Sequence, residues 1–396
     1  MNNKENISIL TKEKCYGCHA CYNICPKKAI SMVKDSEGFL YPRVTEDMCI
    51  NCGKCLQSCP GIKYPELNLI DKAYACYAKR EEEHLSSSSG GFFAVLAKEV
   101  LQENGVICGA AFDDSVKVKH IVTDNALDLE KIKKTKYVQS TIGQTYSQIK
   151  EILLTRRTVL FSGTPCQVAG LKLYLGKDYD NLICIDLICH GVPSPEVFAR
   201  YLLEKGGEHK VTAMSFRNKH PESRSSTLDY WLDNGEKISE SYEESPYIKG
   251  FIQNLYVRPS CFQCKYKGIE RCSDITIGDF WGIDEFHPGF SDDKGTSAII
   301  VHSEKGIQMF EKIKDQLAYV EATSHEVGAW NSCIYRPVEK NIRRKEFFEK
   351  WNHETISEAV LELEVLNKNN GQSTKKVNSL LEKLKRVLIR KLNGIL

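Results

Sequence analysis

From about Asp71 to Ile300, short β-branched runs alternate with stretches of helical periodicity. This alternation predicts an α/β unit built on a largely parallel sheet. FFAVLAKEVLQEN (92–104) carries a helical pattern, Gly105 suits the C′ position that closes it, and VICGAAF (106–112) follows at once as a strand. TVLFSG (158–163) reads as a buried strand. Thr164 and Pro165 then suit the N-cap and first turn of a helix over CQVAGLKLYL (166–175), and LICIDLI (182–188) reads as a third strand ending at Cys189. Each join puts a loop at the edge where open α/β sheets place their ligands. Beyond about Glu321 the pattern turns helical and charged, with NKNNGQST (367–374) reading as a linker.

The last segment, residues 375–396, holds seven Lys/Arg against one Glu, so it carries +6 of a chain whose formal charge is +2. Its apolar residues, Val377, Leu380, Leu381, Leu384, Val387, Leu388 and Leu392, recur at helical spacing and leave a basic face beside them. Such a helix either docks on its own core or makes peripheral contact with an anionic membrane or a partner. Elsewhere the 54 Lys/Arg nearly balance the 52 Asp/Glu, which argues against nucleic acid as a partner. With 42% hydrophobic residues, no apolar stretch of spanning length and no apolar leader at the N-terminus, the chain reads as a cytoplasmic protein of two or three domains. Its 17 cysteines would stay reduced there.

Eight of those cysteines fall between Cys15 and Cys59, in two copies of one pattern, C-x2-C-x2-C-x3-C-P. Three thiolates two residues apart can wrap three irons of one cubane, while the fourth reaches across to the other. The spacing therefore predicts one [4Fe-4S] cluster on Cys15, Cys18, Cys21 and Cys59, and a second on Cys49, Cys52, Cys55 and Cys25. Zinc ribbons use paired knuckles and have no use for this doubled motif. Between the copies, residues 29–48 read as a hairpin turning at Glu37-Gly38, longer than the smallest ferredoxins need. The first 64 residues resemble the bacterial two-cluster ferredoxins.

Cys261, Cys264 and Cys272 give three ligands and lack a fourth. Cys189 is the preferred candidate, since it lies in the loop after a buried strand. Cys166 is second: it sits in the first turn of a helix, whose dipole would lower its pKa. Cys184 reads as an inert core thiol, and Cys76, Cys108 and Cys333 have no partners at ligand spacing. Spacing leaves zinc and a third [4Fe-4S] cluster both open for this set. Ser86 to Gly91 precede a helix directly and suit a pyrophosphate, a plain linker or an N-cap. His190 reads as an acid or as a satisfied structural group. Arg217 and Lys219 would meet an anion or end a solvated strand, and Asp274, Asp279 and Trp281 would build the cluster loop.

SSSSGG, GTPCQVAGLK, CHGVPSP, SFRNK, RPSCFQCKYKGIERCSDITIGDFWG and GTSAIIV, in that order, resemble the family of beta subunits of coenzyme F-420 hydrogenases and dehydrogenases over about Ala73 to Val301. The resemblance implies an FAD-containing α/β domain with a [4Fe-4S] cluster near the flavin. It maps the cluster motif onto Cys189, Cys261, Cys264 and Cys272, and the flavin region onto Ser88, Ser89, Gly90, Gly91, Tyr137, Gln139, Ser140 and Thr164. Simple hydrogenase beta subunits lack the two-cluster extension, which is similar to that of dehydrogenase subunits serving ferredoxin or a larger complex, and no segment announces a deazaflavin pocket. The expected architecture is an α+β ferredoxin-like module (1–64), an α/β flavin-binding domain (65–345) and a helical C-terminal tail (346–396). The expected function is that of an iron-sulfur flavin-dependent oxidoreductase, passing electrons between a soluble ferredoxin or other redox partner and a small-molecule substrate through FAD. A non-catalytic electron-transfer subunit is the alternative.

Overall fold

The computed structural model describes residues 6–68, 70–220 and 223–370. The expectation for the basic tail falls outside them. The N-terminal module wraps two short helices, Ala20–Ile24 and Lys54–Gln57, around a hairpin of Ile30–Lys34 and Leu40–Val44 in antiparallel register, with Gly38 at φ +86° in its turn. The repeat shows in the backbone as well as in the thiols. Gly17 and Asn51 occupy equivalent positions, as do His19 and Gly53, and all four have positive φ. A loop that closes three cysteines around one centre needs left-handed residues at both places, and each copy supplies glycine at only one of them.

The body is a single eight-stranded sheet in the order Leu317–Ala322, Lys72–Ala78, Ser297–Val301, Ile275–Asp279, Leu182–Leu187, Val159–Ser162, Val106–Phe112, Val118–Thr123. Its four central strands, Ile275–Asp279 through Val106–Phe112, are mutually parallel; the pairs outside them are antiparallel. The sheet is thus mixed where a largely parallel one was expected. Local pattern identifies strands but says little about the direction in which distant ones add. A second sheet was not expected at all: Val211–His220, Ser223–Leu232 and Lys237–Ser241 form an antiparallel meander whose inner face joins Phe198, Tyr201 and Tyr247 in a separate core.

Two boundaries moved. The helix Phe92–Gln102 ends on Asn104, whose φ is +60°, and the Gly105 N–H returns to the Val100 carbonyl, so Asn104 rather than Gly105 takes the left-handed C′ place. The helix Ile356–Asn370 runs into the segment read as a linker.

Module and body are clamped together. The Ser194 Oγ donates to the Glu37 carbonyl at 2.5 Å, Arg344 pairs with the Glu37 carboxylate, and Lys34 pairs with Glu196 at 2.7 Å. On the other side Tyr266 Oη donates to the Pro60 carbonyl at 2.7 Å and Asn23 Nδ2 to the Gly143 carbonyl at 2.8 Å. The extra length of the hairpin is what reaches the helix Pro195–Gly206 and the C-terminal helix Arg344–Lys350.

Candidate functional site: three thiol sets and a cavity

The doubled motif folds into two small, closed, almost wholly apolar cavities. Cys15, Cys18, Cys21 and Cys59 line one, with Tyr16, Gly17 and Pro60; Cys25, Cys49, Cys52 and Cys55 line the other, with Pro26 and Asn6. The fourth cysteine of each copy thus faces the other copy's three. Among the described residues no three His, Cys, Asp or Glu side chains converge tightly enough to hold a single ion. The thiols surround volumes, as a cubane requires, rather than a point. Burial pushes the Cys18 and Cys21 thiols well up and Cys59 up to about 12, with neighbouring thiols adding to the effect. Thiols so placed stay protonated and inert unless metal takes their charge.

A third cavity is lined by Cys166, Cys189, Cys261 and Cys264, with Tyr16, Thr164, Arg258 and Lys267. Cys272 is absent from this group. It lies 2% exposed in the core beneath, with Cys184 and Tyr266. The set drawn from spacing and resemblance therefore has Cys166 where Cys272 was expected. Proximity in sequence to Cys264 favoured Cys272, but the chain between them turns inward to start the strand Ile275–Asp279. Nor does the helix end lower the Cys166 thiol: burial raises it well above the ordinary value, the Cys264 thiol adding to this and a contact with Thr164 Oγ1 at 3.2 Å opposing it. Burial likewise holds Cys189 up at about 12 and Cys261 at about 11.

The large cavity, about 300 Å³, opens at the C-terminal edge of the parallel strands. Ser88, Ser89, Gly91, Tyr137, Ser140 and Thr164 line it. Gly90 and Gln139 are not among its lining. Gly90 sits where a Cβ would strike the Cys76 carbonyl and the Ser297 backbone. Gln139 is 8% exposed, donates to the Tyr16 carbonyl at 2.9 Å and accepts from Arg258 at 2.9 Å, tying module to body. Gly91, at φ +89°, starts the helix Phe92–Gln102 without a side-chain cap, and the Ser87 hydroxyl lining the cavity has no partner. Free N–H groups and a buried orphan hydroxyl at a helix start fit a phosphate-bearing ligand.

The basic residues fit it too. Lys134 reaches only neutral groups, Asn218 Oδ1 at 2.7 Å and Ser215 Oγ at 3.3 Å, and burial lowers its pKa. Lys136 donates only to backbone carbonyls of the preceding turn, and burial draws it down to about 7. Nothing in the motif marked these two lysines; the basic run before Tyr137 was the available signal. Arg217 also lines the cavity but is paired with Asp279 at 2.6 Å. Lys219, lowered to about 7 by burial, donates to the carbonyls of Ser89 and His84 and so fixes the serine loop.

His190 lines both this cavity and the third thiol set. Its ring is held by Asn254 Oδ1 at 2.7 Å, and burial lowers its pKa. Asp279 and Trp281 line the large cavity rather than the cluster loop, whereas Asp274 is structural, accepting from the Cys184 N–H and the Ser303 hydroxyl.

The cavities follow one another. Tyr16 lines both the Cys15 set and the Cys166 set, while Thr164, Cys189, His190, Gly191 and Val192 line both the Cys166 set and the large cavity. The helix Pro165–Leu175 begins between the last two and carries Gly170, where a Cβ would lie 2.9 Å from the Cys18 Sγ.

A two-motif cysteine module fused to an α/β body defines an iron-sulfur protein of the oxidoreductase type. Residues 14–61 match the family model described as 4Fe-4S dicluster domain, and residues 156–326 match that of the C-terminal part of the coenzyme F420 hydrogenase/dehydrogenase beta subunit, so the chain joins a domain of each family in one polypeptide. It is 18% identical to a subunit of the F(420)H(2) dehydrogenase of Methanosarcina mazei over 79% of this chain and 86% of that one. It is 29% identical to the Coenzyme F420-dependent sulfite reductase of Methanocaldococcus jannaschii over 88% of this chain, which spans 53% of that relative's length. A solved structure of the F420-reducing nickel-iron hydrogenase complex from Methanosarcina barkeri matches at a TM-score of 0.45 and 18% identity, covering 72% of this chain and 94% of that one.

Proposed function

We propose that this protein is an iron-sulfur flavin-dependent oxidoreductase, in which a redox partner protein and a two-electron organic substrate or coenzyme exchange electrons through the chain. The continuity of the cavities carries this reading: residues are shared from the inner ferredoxin-type set to the Cys166 set, and from there to the large cavity. The N-terminal thiols would hold two [4Fe-4S] clusters, Cys166, Cys189, Cys261 and Cys264 a third, and the large cavity FAD. Cubanes supply one-electron transfer, and a flavin converts between single electrons and pairs.

The residues have distinct tasks in this scheme. Ser88, Ser89, Gly91 and the uncapped helix start, with Lys134 and Lys136, would bind the pyrophosphate. Lys219 holds the serine loop in shape through its two carbonyl contacts, and the Arg217–Asp279 pair with Trp281 forms part of the cavity wall. His190, whose Nε2 faces Asn254, orients the turn between the third thiol set and the cavity. Burial keeps its imidazole neutral near pH 7, so it would bring no fixed charge to either side.

The names of the relatives connect this class of chain with coenzyme F420, which makes a deazaflavin the candidate substrate on the open side of the flavin. A second reading, an electron-transfer subunit serving catalysis elsewhere, has its support in the dehydrogenase relative, which is itself one subunit of an enzyme. Anaerobic purification separates the two. The proposal expects a flavin spectrum, about one extractable FAD per chain, and about twelve iron atoms with matching sulfide. Iron and sulfide without flavin would leave only the subunit reading.

A further inference from the structure

Arg258 is 0% exposed, and it is the largest fully buried side chain among the described residues. Its Nε donates to the Cys15 carbonyl at 2.7 Å, one terminal nitrogen to Leu40 O at 3.0 Å, and the other to Gln139 Oε1 at 2.9 Å. All three acceptors are neutral. Its flat face lies over the Tyr41 ring, 4.3 Å from the centroid, and 5.3 Å from that of Phe39. No carboxylate stands within ion-pair distance of it among the described residues. The acids on the adjoining hairpin are engaged elsewhere, Asp35 with Lys12 at 2.6 Å and Glu37 with Arg344. The nearby His19 is held neutral by burial, and further lowered by the guanidinium, to a pKa of about 4. A permanently charged group taken wholly out of water in this way is costly unless an anion faces it. The one candidate anion is on the thiol side: Arg258 Nη2 lies 3.5 Å from the Cys15 Sγ.

We propose that Arg258 is the built-in counter-ion of the cluster held by Cys15, Cys18, Cys21 and Cys59, and that it sets this cluster's reduction potential from the body of the protein. The inference rests on the reading of those cysteines as a cluster site. A cubane with four thiolates is an anion in both redox states and gains one more negative charge on reduction. A fixed positive charge and an N–H directed at one of its sulfurs therefore stabilise the reduced state more than the oxidised one. The same side chain bonds the Gln139 amide, which holds the Tyr16 carbonyl, so the tuning exists only where the module is docked. Arg258 is a positioning residue, three places before the Cys261 ligand of the neighbouring set. Gly17 accommodates it: a Cβ there would lie 2.8 Å from the guanidinium, at a φ of +63°.

The test is an anaerobic potentiometric titration of the whole protein, followed by electron paramagnetic resonance, comparing wild type with Arg258→Met and Arg258→Lys. In Arg258→Met, one N-terminal cluster is expected either to be lost or to show, at fixed potential, an about tenfold lower reduced-to-oxidised ratio, which is about 59 mV for a one-electron couple. Arg258→Lys keeps the charge and should retain the cluster with a ratio within about threefold of wild type. A wild-type midpoint in Arg258→Met overturns the proposal. So does an Arg258→Lys protein that behaves as Arg258→Met does, because packing rather than charge would then be at work. Wild-type protein without N-terminal iron and sulfide would overturn the cluster reading itself, and that result is separate from either of these.

Discussion

At the scale of single residues, Cys166 and Cys272 exchange the places that spacing suggested. Cys166 joins Cys189, Cys261 and Cys264 around one cavity, and Cys272 is core. Cys166→Ala is expected to lower the iron content of anaerobically prepared protein by about four atoms. Cys272→Ala should leave it unchanged and cost only packing, on the order of 1 kcal/mol of stability. Iron analysis beside the intact protein distinguishes the two, and an iron loss confined to Cys272→Ala would restore the ligand set that spacing favoured. The misplacement has a physical origin. Ligand spacing is informative when loops close locally, as in the two N-terminal motifs. It fails when the fourth ligand arrives from a different strand end, because only the fold brings the starts of Pro165–Leu175 and Pro259–Gln263 together. Arg258 was hidden for a similar reason, since an arginine before Pro-Ser-Cys has nothing in its neighbours to announce complete burial.

At the scale of elements, the hairpin Ile30–Val44 is the key that seats the module on the body. Its turn glycine, Gly38, stands at φ +86°, and a Cβ there would overlap the Glu196 side chain and lie 2.7 Å from the Ser194 Oγ. Gly38→Ala is therefore expected to cost about 1–3 kcal/mol and to lower the melting temperature. Faster hydrogen exchange should be confined to the hairpin and the start of Pro195–Gly206. Exchange unchanged there would show that the hairpin does not seat the module. The hairpin and its turn were legible in sequence, as were the strands ending at Phe112, Ser162 and Leu187 and the Thr164-Pro165 helix start, because each is specified by contiguous residues. The antiparallel flanks of the sheet and the meander of 211–241 were not. They are stabilised by a second core built from residues far apart in the chain, Phe198, Tyr247 and Tyr256 among them, which no local periodicity reports.

At the scale of the whole molecule, two thiol sets in the module, one at the sheet edge and the open cavity succeed one another through shared residues, and the buried contacts of Arg258, Gln139 and Tyr266 hold that succession in register. Cys52 is the one exposed cysteine of the outer set, so that end faces solvent and an incoming protein carrier, while the cavity faces an organic ligand. The most direct measurement of this arrangement is rapid anaerobic mixing of the protein with a reduced bacterial ferredoxin while the flavin absorbance is followed. The account predicts fast bleaching of the flavin in the wild-type protein and loss of the fast phase in a Cys166→Ala protein that still holds its flavin. Equal bleaching rates in the two, or a wild-type protein whose flavin the ferredoxin does not reduce, would contradict it.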